Sequence, residues 1–155
     1  MKNATTAAIA PAYTVQCADV WLTVQATIKA LRVPFPNSED SRQHNKFKVT
    51  VKSSNGEKAT FDFFDSQSNY NKGIQELDSA ALKGALSCFV SDATTGINAT
   101  NVEDLMSEFG WNVDSRKEYQ RATRIYKACV KASEKLELLG ITPDEQFELA
   151  NLLDQ

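Results

Sequence analysis

From Leu22 onward apolar and polar residues alternate: Leu22, Val24, Ala26, Ile28 and Ala30 fall on one side, and Thr23, Gln25, Thr27 and Lys29 on the other. A period of two marks a half-buried strand. Val33-Pro34-Phe35-Pro36 is expected to stop the ladder, because proline has no amide proton, and Asn37 to Arg42 continues as a polar loop. A second strand has Phe47, Val49 and Val51 on one face and Lys46, Lys48, Thr50 and Lys52 on the other. Ala59 to Phe63 makes a third.

The facing of side chains decides how these last two strands are joined. A two-residue Asn55-Gly56 loop would set Val51 against Thr60 and Val49 against Asp62, mixing the faces. A three-residue loop, Ser54 to Gly56, pairs Val51 with Ala59, Val49 with Phe61 and Phe47 with Phe63, and puts Gly56 at the left-handed bulge position. The longer loop is therefore predicted.

After a polar stretch from Asp65 to Asn71 the spacing becomes helical. Asp78 caps a helix that buries Leu82, Ala85, Leu86, Phe89 and Val90, and Asp92 to Ala99 reads as a loop. Asn101 caps a short helix with Leu105, Met106 and Phe109 as its apolar side and Gly110 as its stop. The longest helix starts near Asp114 or Ser115 and ends at Gly140, with a stripe of Tyr119, Ala122, Ile125, Tyr126, Cys129, Val130 and Leu136. Thr142-Pro143-Asp144-Glu145 is a capping box with proline at the first helical position; the helix it opens buries Phe147, Leu149, Leu152 and Leu153.

Strands first and helices afterwards predict an α+β fold: a small antiparallel sheet of about three strands packed against a C-terminal group of about four helices. The reading divides the chain into a flexible leader over residues 1–12 and one domain over 13–155, with the sheet in 20–65 and the helical part in 76–155. A length of 155 residues suits one core, and an apolar share of 42% with 24% charged residues is ordinary for a globular chain.

Charge is uneven along the chain: residues 1–76 sum to +2 and the remainder to −5, with acids crowded toward the C-terminus. Such polarity steers encounter with charged partners. No apolar run reaches the roughly 18 residues of a membrane span, and no secretory signal pattern opens the chain, so a cytoplasmic protein without membrane contact is expected.

The chemistry-bearing residues favour binding over catalysis. Cys17, Cys88 and Cys129 are widely spaced without a CxxC pair and read as small buried apolar residues, so no metal site is predicted. His44 is the single histidine; an enzyme built on it would need a closed pocket and a neighbouring acid. Asp92 to Glu103 has the length of a calcium loop, but Thr94, Gly96 and Ile97 occupy positions that require oxygen ligands and glycine. The six glycines form no phosphate-cradling loop, so no cofactor is expected. Two of the paired carboxylates, Glu103/Asp104 and Asp144/Glu145, sit in first helical turns, where they complement the helix dipole.

Two basic surfaces stand out. Lys46, Lys48 and Lys52 share the outward face of a strand, and Lys117, Arg121, Arg124, Lys131 and Lys135 lie within about 40° of one line along the longest helix. Either could meet phosphates or simply face water. Trp21, on the polar side of its strand, is a candidate contact anchor, whereas Trp111 is expected in the core. The acids of the last helix, Asp144, Glu145, Glu148 and Asp154, suit either solubility or docking on a basic partner.

Several segments resemble a widespread family of small phage and prophage proteins. They are His44-Asn45-x-Phe47-Lys48-Val49-Thr50-Val51, Phe61-Asp62-Phe63-Phe64 and Leu86-Ser87-Cys88-x-x-Ser91-Asp92-Ala93. The likeness continues through Ser107-Glu108-Phe109-Gly110-Trp111-x-x-Asp114-Ser115-Arg116-Lys117 and Tyr126-Lys127-Ala128-Cys129, about two thirds of the chain in all. The resemblance implies a setting in the host bacterial cytoplasm. With the missing catalytic motifs and the polarised charge, it leads to a non-catalytic accessory protein that binds a host or phage protein. An inhibitor of a host defence complex such as a CRISPR effector, an anti-CRISPR, is one concrete form. The alternative is a nucleic-acid-binding factor in phage recombination or replication, using either basic surface.

Overall fold

The computed structural model describes residues 11–34, 43–65 and 77–155. Most of the expected leader, the polar loop at 37–42 and the stretch at 66–71 lie outside the described residues. The chain is α+β: strands β1 (Tyr13–Cys17), β2 (Val20–Pro34), β3 (Gln43–Ser53) and β4 (Lys58–Asp65) precede helices α1 (Ser79–Asn98), α2 (Val102–Phe109), α3 (Arg116–Leu138) and α4 (Pro143–Leu153). The strands form one antiparallel sheet in sequential order.

Among the described residues the sheet has four strands where the sequence pattern indicated about three, and it begins at Tyr13, not at 20. Tyr13, Val15 and Cys17 turn toward the core while Thr14 and Gln16 face out. Cys17 pairs with Val20 across a two-residue turn in which Ala18 holds φ 53°. Such a turn ordinarily announces itself with Asn or Gly, so an alanine there conceals the hairpin. Strand β2 ends at Pro34, within the proline segment expected to stop the ladder, with Val33 paired to His44 and Pro34 to Gln43. Register shifts interrupt the regular pairing between Ala26 and Leu31, before that point.

The β3–β4 hairpin has the three-residue loop. Val51 pairs with Ala59, Val49 with Phe61 and Phe47 with Phe63. The amide of Gly56 donates to the Ser53 carbonyl at 3.0 Å, that of Ser53 donates to the Glu57 carbonyl at 2.9 Å, and Gly56 takes φ 97°. This register puts Phe47, Val49, Val51, Ala59 and Phe61 in the core together with Leu22 and Val24. The phenyl rings of Phe61 and Phe89 stack at 4.2 Å between the sheet and α1.

Helix α1 is longer than expected. Asp78 caps it, accepting from the Ala81 amide, and the five predicted positions are buried, but the helix continues through the supposed loop to Asn98. Ala93 is buried there and Gly96 lies against α3, so packing offsets the weak helix preference of Thr94, Thr95 and Gly96. The hydroxyls of Thr94 and Thr95 both donate back to the Ser91 carbonyl. A continuous helix here also rules out a calcium loop.

Asn101, Ser115 and Thr142 cap the other helices, and Gly110 and Gly140 take left-handed conformations after α2 and α3. In α4 the buried residues are Gln146, Leu149 and Leu153, whereas Leu152 is exposed and Phe147 half-buried. Gln146 fits the core because each of its side-chain polar atoms has a partner. Its Nε2 donates to the carbonyls of Ser133 and Ile141 at 3.3 and 3.0 Å, and its Oε1 accepts from the Ser133 hydroxyl at 3.0 Å. Cys17 and Cys129 are buried as expected; Cys88 is exposed.

Candidate interaction surface

The helices cover one face of the sheet, and the alternation that buries Leu22, Val24, Phe47, Val49 and Val51 turns the intervening residues the other way. Trp21, Thr23, Thr27, Lys46, Lys48, Thr50, Lys52, Lys58, Thr60 and Asp62 therefore share the outer face. Of these, Thr50 is buried, with its hydroxyl 3.2 Å from that of Thr60. Thr27 donates to the Lys48 carbonyl at 3.1 Å.

Trp21 stands at one end of this face with 53% of its surface exposed. Its backbone is fixed on both sides by the hairpin loop: its carbonyl accepts from the Ser54 amide at 2.9 Å, and its amide donates to the Ser54 hydroxyl at 3.0 Å. The same hairpin is tied to the helical layer, since Ser53 Oγ donates to the Leu139 carbonyl at 2.6 Å and Asn55 Nδ2 to the Leu138 carbonyl at 3.1 Å. A large exposed aromatic side chain is thus carried on a braced backbone.

At the other side of the face, Asp62 sits between two cations, 2.8 Å from Lys48 Nζ and 3.6 Å from Lys46 Nζ. Lys135 reaches over from α3 to the edge of β4, where its ammonium donates to the Thr60 carbonyl at 2.8 Å. Burial, then Lys131, lower the pKa of Lys135 below the ordinary lysine value, with Asp62 opposing and Lys48 adding to the effect. Tertiary structure thereby joins the strand lysines Lys46 and Lys48 to Lys131 and Lys135 of the helix stripe.

The remaining members of that stripe lie elsewhere. Lys117, Arg121 and Arg124 occupy the first three turns of α3, and the guanidinium of Arg121 lies over the Trp111 ring, 4.7 Å from its centroid. Trp111 is half-buried and not a core residue; it meets Phe109, itself exposed, at 4.9 Å. The reason is the αL stop at Gly110, whose geometry lets the Trp111 amide donate to the Met106 carbonyl and leaves the indole against the outside of the α2–α3 corner.

Two members of the surface escaped the sequence reading. Lys58 and Asp62 were not grouped with Lys46, Lys48 and Lys52, although the predicted hairpin register already sets Lys52 opposite Lys58 and Lys48 opposite Asp62, as the structure has it. The signal was present in the pairing and absent from the linear pattern.

Compared with protein-family models, curated proteins and solved structures, the chain matches none.

Other chemistry is sparse. Among the described residues no group of three or more His, Cys, Asp or Glu side chains is placed to hold a metal ion, and no helix is long and apolar enough to cross a membrane. His44 and Asn45 are both buried although neighbouring strand residues point to opposite faces, so the sheet is covered on both faces at that end. The acids of α4 divide in role. Glu145 is held below the ordinary glutamate pKa by the backbone and hydroxyl of Thr142 in the capping box, while Asp144, Glu148 and Asp154 are exposed.

Proposed function

We propose that this is a non-catalytic accessory protein that acts by docking the Trp21 end of its outer sheet face on another protein. The setting is the phage or prophage one implied by the sequence resemblance, and inhibition of a host defence complex such as a CRISPR effector is its most concrete form. One observation carries the reading: Trp21 is half exposed on a braced backbone, with polar Thr23, Lys52 and Ser54 as its neighbours on the outer face. Indole left in water contributes little to the fold, whereas a rigid aromatic anchor surrounded by polar residues is the usual make-up of a binding hot spot.

The nucleic-acid reading has its own observation, the adjacency of Lys46 and Lys48 to Lys131 and Lys135. It ranks second because three of those four cations are engaged within the molecule: Lys46 and Lys48 share Asp62, and Lys135 holds the Thr60 carbonyl. Affinity for a phosphate backbone depends on cations that can neutralise phosphates.

The test is a pull-down from infected or prophage-bearing host lysate, with and without nuclease, using wild-type protein and Trp21→Ala. A stoichiometric protein partner that survives nuclease and is lost with Trp21→Ala supports the reading, provided the variant melts at the wild-type temperature. Capture that disappears with nuclease transfers the function to nucleic-acid binding.

A further inference from the structure

Lys52 and Lys58 are direct cross-strand partners on the outer face, and both are exposed. Like charges placed directly opposite each other in a sheet are destabilising. Nothing in the described molecule offsets this pair. Asp62 lies four residues along β4 from Lys58, about 13 Å away at the rise of a strand, and is occupied by Lys46 and Lys48. Glu57, which precedes the strand, forms no ion pair with either ammonium among the described residues. Neither ammonium takes part in an ion pair or hydrogen bond among the described residues.

Trp21 adjoins this pair. Its backbone bonds to Ser54, two residues beyond Lys52 on the same side of the hairpin, so Trp21 and Lys52 are diagonal neighbours on one face, about 7–8 Å apart. The surface thus combines two exposed cations, opposed across the strands and without an ion-pair partner among the described residues, with one aromatic ring on a braced backbone.

We infer that Lys52, Lys58 and Trp21 form a recognition site for an acidic polypeptide segment, one that sets a carboxylate between the two ammoniums and an apolar side chain against the indole. The inference rests on the protein-docking reading above and names the chemistry of the partner. Charge complementarity selects an anion. The polypeptide class follows from Trp21 being, among the described residues, the one exposed aromatic ring beside the pair, since a nucleic-acid strand is gripped by stacking successive bases on several rings. The repulsion in the free protein is relieved on binding, so the same pair that weakens the fold strengthens the complex.

The site is tested without any lysate. Wild-type protein, Lys58→Gln, Lys52→Gln and Lys58→Arg are titrated with a fluorescein-labelled peptide of glutamate and leucine, with a lysine and leucine peptide of the same length, and with oligo(dT). Each glutamine variant is expected to melt about 1–3 °C higher than wild type and to bind the acidic peptide about 5–10-fold more weakly. Lys58→Arg is expected to keep both properties of the wild type, and added salt to weaken the wild-type complex. Unchanged peptide affinity in both glutamine variants overturns the site, as does a lowered melting temperature. Tighter binding of oligo(dT) than of the acidic peptide at equal salt overturns the polypeptide class. Glutamine variants that bind the peptide like wild type would leave Trp21-dependent capture from lysate untouched, so the two readings fail separately.

Discussion

Gly96 of α1 lies directly against the backbone of Cys129 in α3: a Cβ added to Gly96 would come 2.7 Å from the carbonyl carbon and oxygen of Cys129 and 2.8 Å from the Val130 nitrogen. The crossing of the two longest helices is set by the absence of one methyl group. Gly96→Ala is therefore expected to destabilise the fold by about 2–3 kcal/mol through overpacking, even though alanine is favoured over glycine by about 1 kcal/mol within a helix. Urea denaturation checks the sign; a stabilised variant would show that the helices separate at little cost.

The β1–β2 turn points the other way. Ala18 holds φ 53°, where an L side chain is strained and glycine is not. Ala18→Gly is expected to stabilise the protein by roughly 0.5–1 kcal/mol, and Ala18→Val to destabilise it by at least as much. Melting temperatures of the pair decide the matter, and equal values for all three proteins would remove the strain.

The buried contact of Gln146 with Ser133 invites a double-mutant cycle. Gln146→Leu leaves the Ser133 hydroxyl and the Ile141 carbonyl without their partner, at an expected cost of about 2–4 kcal/mol. Made in a Ser133→Ala background, the same change is expected to cost about 1 kcal/mol less. Strict additivity would mean that the two side chains contribute independently.

The thiols should differ in reactivity. Burial and Asp92 raise the pKa of Cys88, and the same causes push Cys129 from an ordinary 9.0 to about 11. Only Cys88 is exposed, so a thiol reagent is expected to modify that residue alone in the native protein, and slowly near neutral pH, with Cys17 and Cys129 reacting after unfolding. Because the unfolded chain releases the Cys129 proton first, this group's contribution to stability is complete below pH 9.0 and is lost as pH rises toward about 11. Urea midpoints across that range should fall less steeply for Cys129→Ala than for wild type.

What was legible in the sequence was whatever depends on near neighbours along the chain. Alternation assigned the two faces of β3 and β4, the facing rule set the hairpin loop with Gly56, and side-chain chemistry identified Asp78, Asn101, Thr142, Gly110 and Gly140 as helix boundaries. The exposure of Trp21 followed from the same period of two. Tertiary structure alone decided the rest. β1 stayed hidden because its turn uses Ala18, and the last two turns of α1 because Gly96 reads as a helix breaker until α3 is seen against it. Gln146 reads as a surface residue until Ser133 and Ile141 supply its partners. The approach of Lys135 to Thr60 and Lys48 spans most of the chain, and no periodicity along a sequence encodes which stripe meets which. Local patterns specify faces; the burial of those faces against one another chooses the neighbours.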